Sequence, residues 1–201
     1  MTRDVRLGGH PGLLSEPSAD VDNGWLMVLA HGAGAGMRHA FMAELSGALV
    51  AHGFAVLRWD MPYMAANKKR PDPAPVCEAA TRDVVAAAAA AWPTRRLVVG
   101  GKSMGGRMGS RAFAHLGLPG VEALVFYGFP LHPADKPGIE RAEHLSAVTV
   151  PMLFLSGTRD ELAELGLLRG VVEGLRPRAT LREFAHADHA FARRQRDVPG
   201  A

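Results

Sequence analysis

The sequence predicts an α/β fold, a mostly parallel sheet with helices on both faces, and three observations carry that expectation. Apolar runs without alternation, such as Trp25-Leu26-Met27-Val28-Leu29-Ala30 and the stretch Val121 to Tyr127, suit strands buried on both faces. Between such runs lie segments with helical spacing or helix-forming composition, so strands and helices alternate from Trp25 to Phe184. That alternation implies parallel strands joined by right-handed crossovers. Finally, 201 residues with 48% hydrophobic content suffice for one substantial core, and with no internal repeat or linker the reading is a single domain over 1–201.

The elements follow in order. Val5 to Leu7 and Leu13-Leu14, around Gly8-Gly9-His10-Pro11-Gly12, suggest an antiparallel hairpin at a sheet edge. Residues 15–24 are polar and turn-rich, and the strand 25–30 follows. Phe41, Leu45, Leu49 and Val50 keep helical spacing, so a helix covers 39–52 and stops at Gly53. Phe54 to Leu57 is the next strand, and Arg58-Trp59-Asp60-Met61-Pro62-Tyr63 leaves it as a loop. Asn67 to Pro75, with Pro71, Pro73, Pro75 and Lys68-Lys69-Arg70, reads as a mobile surface excursion. The alanine-rich stretch Glu78 to Trp92 ends at Pro93 and is a helix. Its six alanines, Ala86 to Ala91, let it lie close to the sheet. A strand over 96–100 leads into Gly101 and a helix to about Leu116; the 121–127 strand comes next. The connection 128–149 holds a short helix near 139–145. A strand over 150–155, a helix over 162–175 interrupted by Gly166 and Gly170, and a last strand over 180–184 complete the pattern.

Bulk properties exclude several function classes. Net charge is +3, from 23 basic and 20 acidic residues. The tight basic groups, Lys68-Lys69-Arg70 and Arg193-Arg194-Gln195-Arg196, are not interleaved with aromatics, so no nucleic-acid partner is expected. One cysteine, Cys77, rules out an intrachain disulfide and a cysteine-built metal site. Met1-Thr2-Arg3-Asp4 lacks the apolar core of a signal peptide, and no apolar run approaches the roughly 18 residues of a membrane helix. The expectation is a cytoplasmic protein without a membrane partner; its oligomeric state is left open.

The chemistry is concentrated at Gly101-Lys102-Ser103-Met104-Gly105, between the 96–100 strand and its helix. Gly-x-Ser-x-Gly at a strand-to-helix turn is the pattern of a nucleophile elbow, in which a strained central residue exposes its hydroxyl and the glycines avoid steric collision. A P-loop is excluded, because the glycine it needs upstream is Arg96. Ser103 could instead simply cap its helix. A serine hydroxyl needs a base, and the ends of the later strands supply candidates: Ser156-Gly157-Thr158-Arg159-Asp160 after 150–155, and His186-Ala187-Asp188-His189 after 180–184. The order Ser, Asp, His is the one this strand–turn–helix arrangement requires. The assignment is Ser103 as nucleophile, His189 as base and Asp160 as the acid that orients it, with His186 and Asp188 as the rivals of the last two. The oxyanion hole is expected from backbone N–H groups, Met104 plus Ala33 or Gly34, in the loop His31-Gly32-Ala33-Gly34-Ala35-Gly36. That loop is no dinucleotide fingerprint, because the required glycine is Met37, or His39 when counted from Gly34. His132, Tyr63 and Arg58 are candidates for the pocket rim, with an Arg58–Asp60 ion pair the structural alternative, and Lys102 reads as solvated.

With these residues in view the chain resembles the α/β-hydrolase superfamily, in its small dienelactone-hydrolase-like branch. More narrowly, it resembles small hydrolases whose relatives include the third subunit of a non-specific-lethal chromatin complex. The residues carrying the match are His31 to Ala35, Arg58 to Tyr63, Gly100 to Arg107, Pro130-Leu131-His132-Pro133, Gly157 to Asp160 and Asp188-His189. The resemblance implies a serine hydrolase fold with Ser103, Asp160 and His189 as its triad and no metal or organic cofactor. The connection 128–149 is too short for a lid domain, so an open, shallow pocket is expected. Only Ala190 to Ala201 follows the histidine, which predicts a short or missing last helix and a loosely held His189 loop. The expected activity is that of an esterase or thioesterase on small acyl substrates. The alternative is a non-catalytic binding or scaffold protein on the same fold.

Overall fold

A computed structural model describes residues 2–194. One eight-stranded sheet runs through it, in the spatial order β1-β2-β4-β3-β5-β6-β7-β8. The hairpin β1 (Thr2–Leu7) and β2 (His10–Ser15) forms one edge and pairs antiparallel with β4 (Ala55–Trp59). Every later neighbour pair is parallel: β3 (Trp25–Ala30) with β4 and β5 (Arg96–Lys102), then β6 (Val121–Tyr127), β7 (Met152–Gly157) and β8 (Ala179–Phe184). The continuous apolar runs are the central strands, as their burial on both faces requires: Leu26 to Ala30 are all at most 2% exposed.

The two faces are covered unequally. Helices α3 (Ala74–Ala91), α4 (Met104–Leu116) and α5 (Leu165–Gly174), with a 3₁₀ turn over Glu140–Ala147, pack on one face around Val84, Met108, Phe126, Phe154 and Leu168. The other face carries α1 (Ala40–Ala51) over Met27, Leu29, Val56 and Val98. On that face Phe191, from beyond β8, joins the same cluster. The expected absence of a helix after His189 holds for 190–194, while 195–201 lie outside the described residues.

Three boundaries differ from the sequence reading. Arg58 and Trp59 complete β4 rather than opening a loop, and a short helix, α2 (Pro62–Ala65), follows. Helix α3 begins at Ala74, four residues early, because Pro75 stands in its first turn, where no N–H is needed and the fixed φ is already helical. Strand β5 runs on to Lys102, so the elbow turn is only Ser103 itself.

From β3 the chain winds to β4 on one side, then crosses to β5 on the other. The carboxyl ends of β3 and β5 therefore flank a topological switch point, the place where loops diverge and a crevice opens. Ser103 follows β5 there, with φ 50° and ψ −117°. This left-handed backbone is costly for a residue with a side chain, on the order of 1–3 kcal/mol. Close approach enforces the turn. A Cβ on Gly105 would lie 2.5 Å from the Ala30 carbonyl oxygen, and one on Gly101 would overlap the Gly106 nitrogen. By contrast, Gly47 sits exposed within α1 with open space around it.

Two alanine substitutions should therefore act in opposite directions. Gly47→Ala is expected to raise unfolding free energy by about 0.5–1 kcal/mol, as helix propensity dictates. Gly105→Ala is expected to lower it by about 1–3 kcal/mol through backbone overlap. Urea midpoints for both variants check this.

Candidate active site

Three loops at the carboxyl ends of β5, β7 and β8 bring Ser103, Asp160 and His189 into one hydrogen-bonded line. The Ser103 hydroxyl donates to His189 Nε2 at 2.8 Å. On the opposite edge of the ring, Nδ1 lies 2.9 Å from each Asp160 carboxylate oxygen. The Asp160 side chain is fully buried and also accepts from the Leu162 N–H at 2.9 Å. With the carboxylate on Nδ1, the ring proton sits there and Nε2 is left as the acceptor that faces the serine.

The rivals lie elsewhere. His186 is exposed, has φ 62°, and its N–H donates to Thr158 Oγ1 at 2.9 Å. Asp188 uses one carboxylate oxygen to accept from the Ala190 and Ala192 N–H groups, each at 2.9 Å, and so ties the turn that presents His189. Nor is that turn loosely held. Thr158 N–H and Arg159 N–H donate to the carbonyls of Phe184 and Ala187, at 3.0 and 2.9 Å. Gly157 lies so close beneath Ala187 that any Cβ would overlap its carbonyl. The acid loop and the histidine loop thus brace each other. The Phe191 ring, with φ 63° at its backbone, stacks on Phe41 of α1.

A cavity of ≈ 400 Å³ opens beside Ser103. Its walls are mainly apolar: Ala33, Ala35, Phe41, Met42, Leu162 and Ala190 accompany His39, Lys102, Ser103 and His189. Gly32 and Ala33 contribute to it and Gly34 does not. Burial pushes the Tyr63 phenol up, partly offset by the Gly34 N–H. Met104 is the first residue of α4, so its N–H is one of the donors a helix leaves unsatisfied at its start. No Ser103 side-chain bond caps that helix.

The expected rim residues are not among those lining the cavity, and Arg58 and His132 hold loops instead. Tyr63 is fully buried, edge-on to His31 at 5.8 Å between ring centroids. Arg58 is 6% exposed and donates from Nη1 to the Met37 carbonyl at 3.2 Å. Asp60 does not pair with it but accepts the Met37 N–H at 2.7 Å. Together they grip both polar groups of Met37, at the end of the glycine loop. His132 is 2% exposed. Its Nε2 accepts the Glu164 N–H at 2.8 Å, so Nδ1 carries the proton and donates to the Pro133 carbonyl at 2.7 Å. His31 repeats the device: Nε2 accepts the Met61 N–H at 3.1 Å and Nδ1 donates to the Gly32 carbonyl at 2.8 Å. A histidine that closely follows a buried strand was the available sequence signal, but its target in another segment was not.

Lys102 is the residue the sequence misjudged most. Its side chain turns inward along the cavity, and Nζ donates to the main-chain oxygen of His189. Burial pushes the ammonium down to about 8, against the pull of Asp160, Asp188 and Glu161. Among the described residues no group of three or more His, Cys, Asp or Glu is arranged to hold a metal ion, and no helix is long and apolar enough to cross a membrane.

A serine on a strained strand-to-helix turn, facing a histidine backed by a buried carboxylate at the switch point of a mostly parallel sheet, defines the α/β-hydrolase class. The chain belongs to that family: a family model described as an alpha/beta hydrolase domain matches residues 23–199. Solved structures agree in fold. A lidless α/β serine hydrolase from Xanthomonas campestris superposes with a TM-score of 0.76 at 20% identity, covering 94% of this chain and 86% of that one. A dienelactone hydrolase from Anabaena variabilis gives 0.75 at 20% identity, with coverage of 100% and 90%. An esterase from Pyrococcus furiosus gives 0.74 at 14% identity, covering 94% and 82%.

Buried His31 and half-buried His144 set a pH dependence of stability. Burial lowers the pKa of His31, and burial with the nearby Arg111 and Arg107 takes His144 from 6.5 to about 4. In both cases the unfolded chain binds the proton first as pH falls, so stability is lost from pH ~6.5 downward. Replacing His144, which meets Ser110 Oγ at 2.8 Å, by glutamine should flatten the fall in melting temperature between pH 6.5 and 4 relative to wild type.

Proposed function

We propose that this protein is a serine hydrolase that cleaves ester or thioester bonds of small acyl substrates. The observation that carries the reading is the continuous contact from Asp160 through His189 to Ser103 Oγ at the edge of an apolar cavity. His189 Nε2 removes the hydroxyl proton as Ser103 Oγ attacks the acyl carbon. Asp160 holds the ring tautomer and stabilises the imidazolium. The N–H groups of Met104 and Ala33 receive the oxyanion; Gly34 is the poorer candidate because Ala33, and not Gly34, lines the cavity. Collapse of the tetrahedral intermediate expels the leaving group with the proton from Nε2. Water then attacks the acyl-enzyme by the same base, releasing the acid and restoring Ser103.

The cavity supports the substrate class. Its ≈ 400 Å³ falls at the small end of ligand pockets, and its walls favour an apolar acyl group over a sugar or a phosphate. The connection from β6 to β7 carries only a 3₁₀ turn, which leaves no lid to enclose a long chain. The named activities of the esterase and the dienelactone hydrolase of like fold point the same way. The domain over 1–201, the absence of a cofactor and a cytoplasmic location belong to the same proposal.

A fluorophosphonate probe is expected to label wild type and not Ser103→Ala. On p-nitrophenyl esters, kcat/KM should fall by on the order of 10⁴-fold or more in Ser103→Ala and by about 10³–10⁴-fold in Asp160→Asn. Acetyl to hexanoyl esters should outpace long-chain ones. No labelling of wild type would instead favour a non-catalytic binding role.

A further inference from the structure

The residue before the nucleophile occupies a position that the elbow leaves chemically free, yet here it is engaged. Lys102 leaves β5 on the cavity side, and its ammonium meets the His189 carbonyl oxygen from the far side of the crevice. Two rings lie to one side of it, Phe41 at 5.7 Å and Phe191 at 5.4 Å from Nζ to centroid. The rings stack on each other at 6.1 Å, and Phe184 meets Phe191 edge-on at 5.4 Å. Gly128, with φ 71°, leaves the room: a Cβ there would stand 3.1 Å from Lys102 Nζ and 3.3 Å from His189 Nδ1. A half-buried ammonium on a carbonyl, beside two aromatic rings, combines a charge-assisted hydrogen bond with cation–π attraction.

The covalent geometry gives this contact its meaning. Lys102 and Ser103 are adjacent, so the side chain tethers the nucleophile's own turn to the residue that carries the base. We propose that Lys102 is a positioning residue, a clasp that fixes His189 against Ser103 by holding the histidine main chain while its ammonium rests beside the stacked pair of Phe41 and Phe191. Resting on the serine hydrolase reading, the clasp adds to the brace that Gly157 and Arg159 give the same loop. Loss of the clasp shifts the imidazole without removing it, and a displacement of about 1 Å at a reacting pair can cost 10²-fold in rate.

The experiment compares wild type, Lys102→Met and Lys102→Arg. Expected for Lys102→Met are a fall of about 10- to 100-fold in both kcat and the rate of fluorophosphonate labelling, with KM and melting temperature little changed. Lys102→Arg, which keeps the cation and its donors, should recover most of the loss. The downfield proton resonance of His189 Nδ1–H, which reports its bond to Asp160 without any turnover, should be sharp in wild type and Lys102→Arg and broadened in Lys102→Met. Labelling of Lys102→Met at the wild-type rate overturns the clasp and leaves the hydrolase reading standing. A rise in KM at constant kcat also overturns it, because the lysine would then serve the substrate. Wild type that is never labelled fails the hydrolase reading, and the clasp is then judged on the resonance alone: an unchanged signal in Lys102→Met overturns it.

Discussion

The close approach of α4 to the end of β3 is the constraint on which the rest of the site depends. Gly105 lies against the Ala30 and His31 carbonyls with no room for a methyl group. Held there, the helix cannot relax away from the strand, and the turn between β5 and α4 must be made in one residue. That residue is Ser103, whose left-handed backbone turns the chain sharply from strand into helix, with Met104 as the first residue of α4. The proposed nucleophile and one proposed oxyanion donor thus arise from a single packing contact. The strain is sustained because sheet pairing on both sides of β5 fixes the ends of the turn.

Around that fixed point the loops are pinned from behind rather than from the cavity. His31 and His132 each use one ring nitrogen to donate to a neighbouring carbonyl and the other to accept an N–H from a distant segment. Arg58 and Asp60 hold the two polar groups of Met37. Such groups leave few backbone donors and acceptors of these loops unpaired, which lets irregular chain be buried. They also explain why polar residues beside the site are so buried while the cavity itself is lined by alanine, methionine and phenylalanine.

Much of the fold was legible in the residues. The unbroken apolar runs marked the central strands, the Pro93 and Gly53 stops marked helix ends, and the Gly-x-Ser-x-Gly turn located the elbow. The misjudged stretches share a cause. Pro75 read as a loop residue because proline breaks a helix anywhere but its first turn, and periodicity does not say where the first turn falls. Arg58 and Tyr63 read as rim residues because their polarity suggested exposure, whereas their polar atoms or rings meet partners from other loops in the interior. Lys102 read as solvated for the same reason.

By itself the sequence determined the order of elements and the chemical types at the strand ends: a serine between glycines, a carboxylate and a histidine, each placed by a local pattern of turn residues and apolar spacing. Tertiary structure alone decided which of two histidines faces Ser103 and which of two aspartates backs that histidine. It also decided that Ala33 and not Gly34 lines the cavity, and that Lys102 folds inward to the His189 main chain. The physical reason is that these outcomes depend on contacts between residues far apart in the chain, such as Gly157 with Ala187 or Lys102 with His189. Whether a side chain at a loop is a ligand, a pin or a solvated charge depends on what the other loops place opposite it.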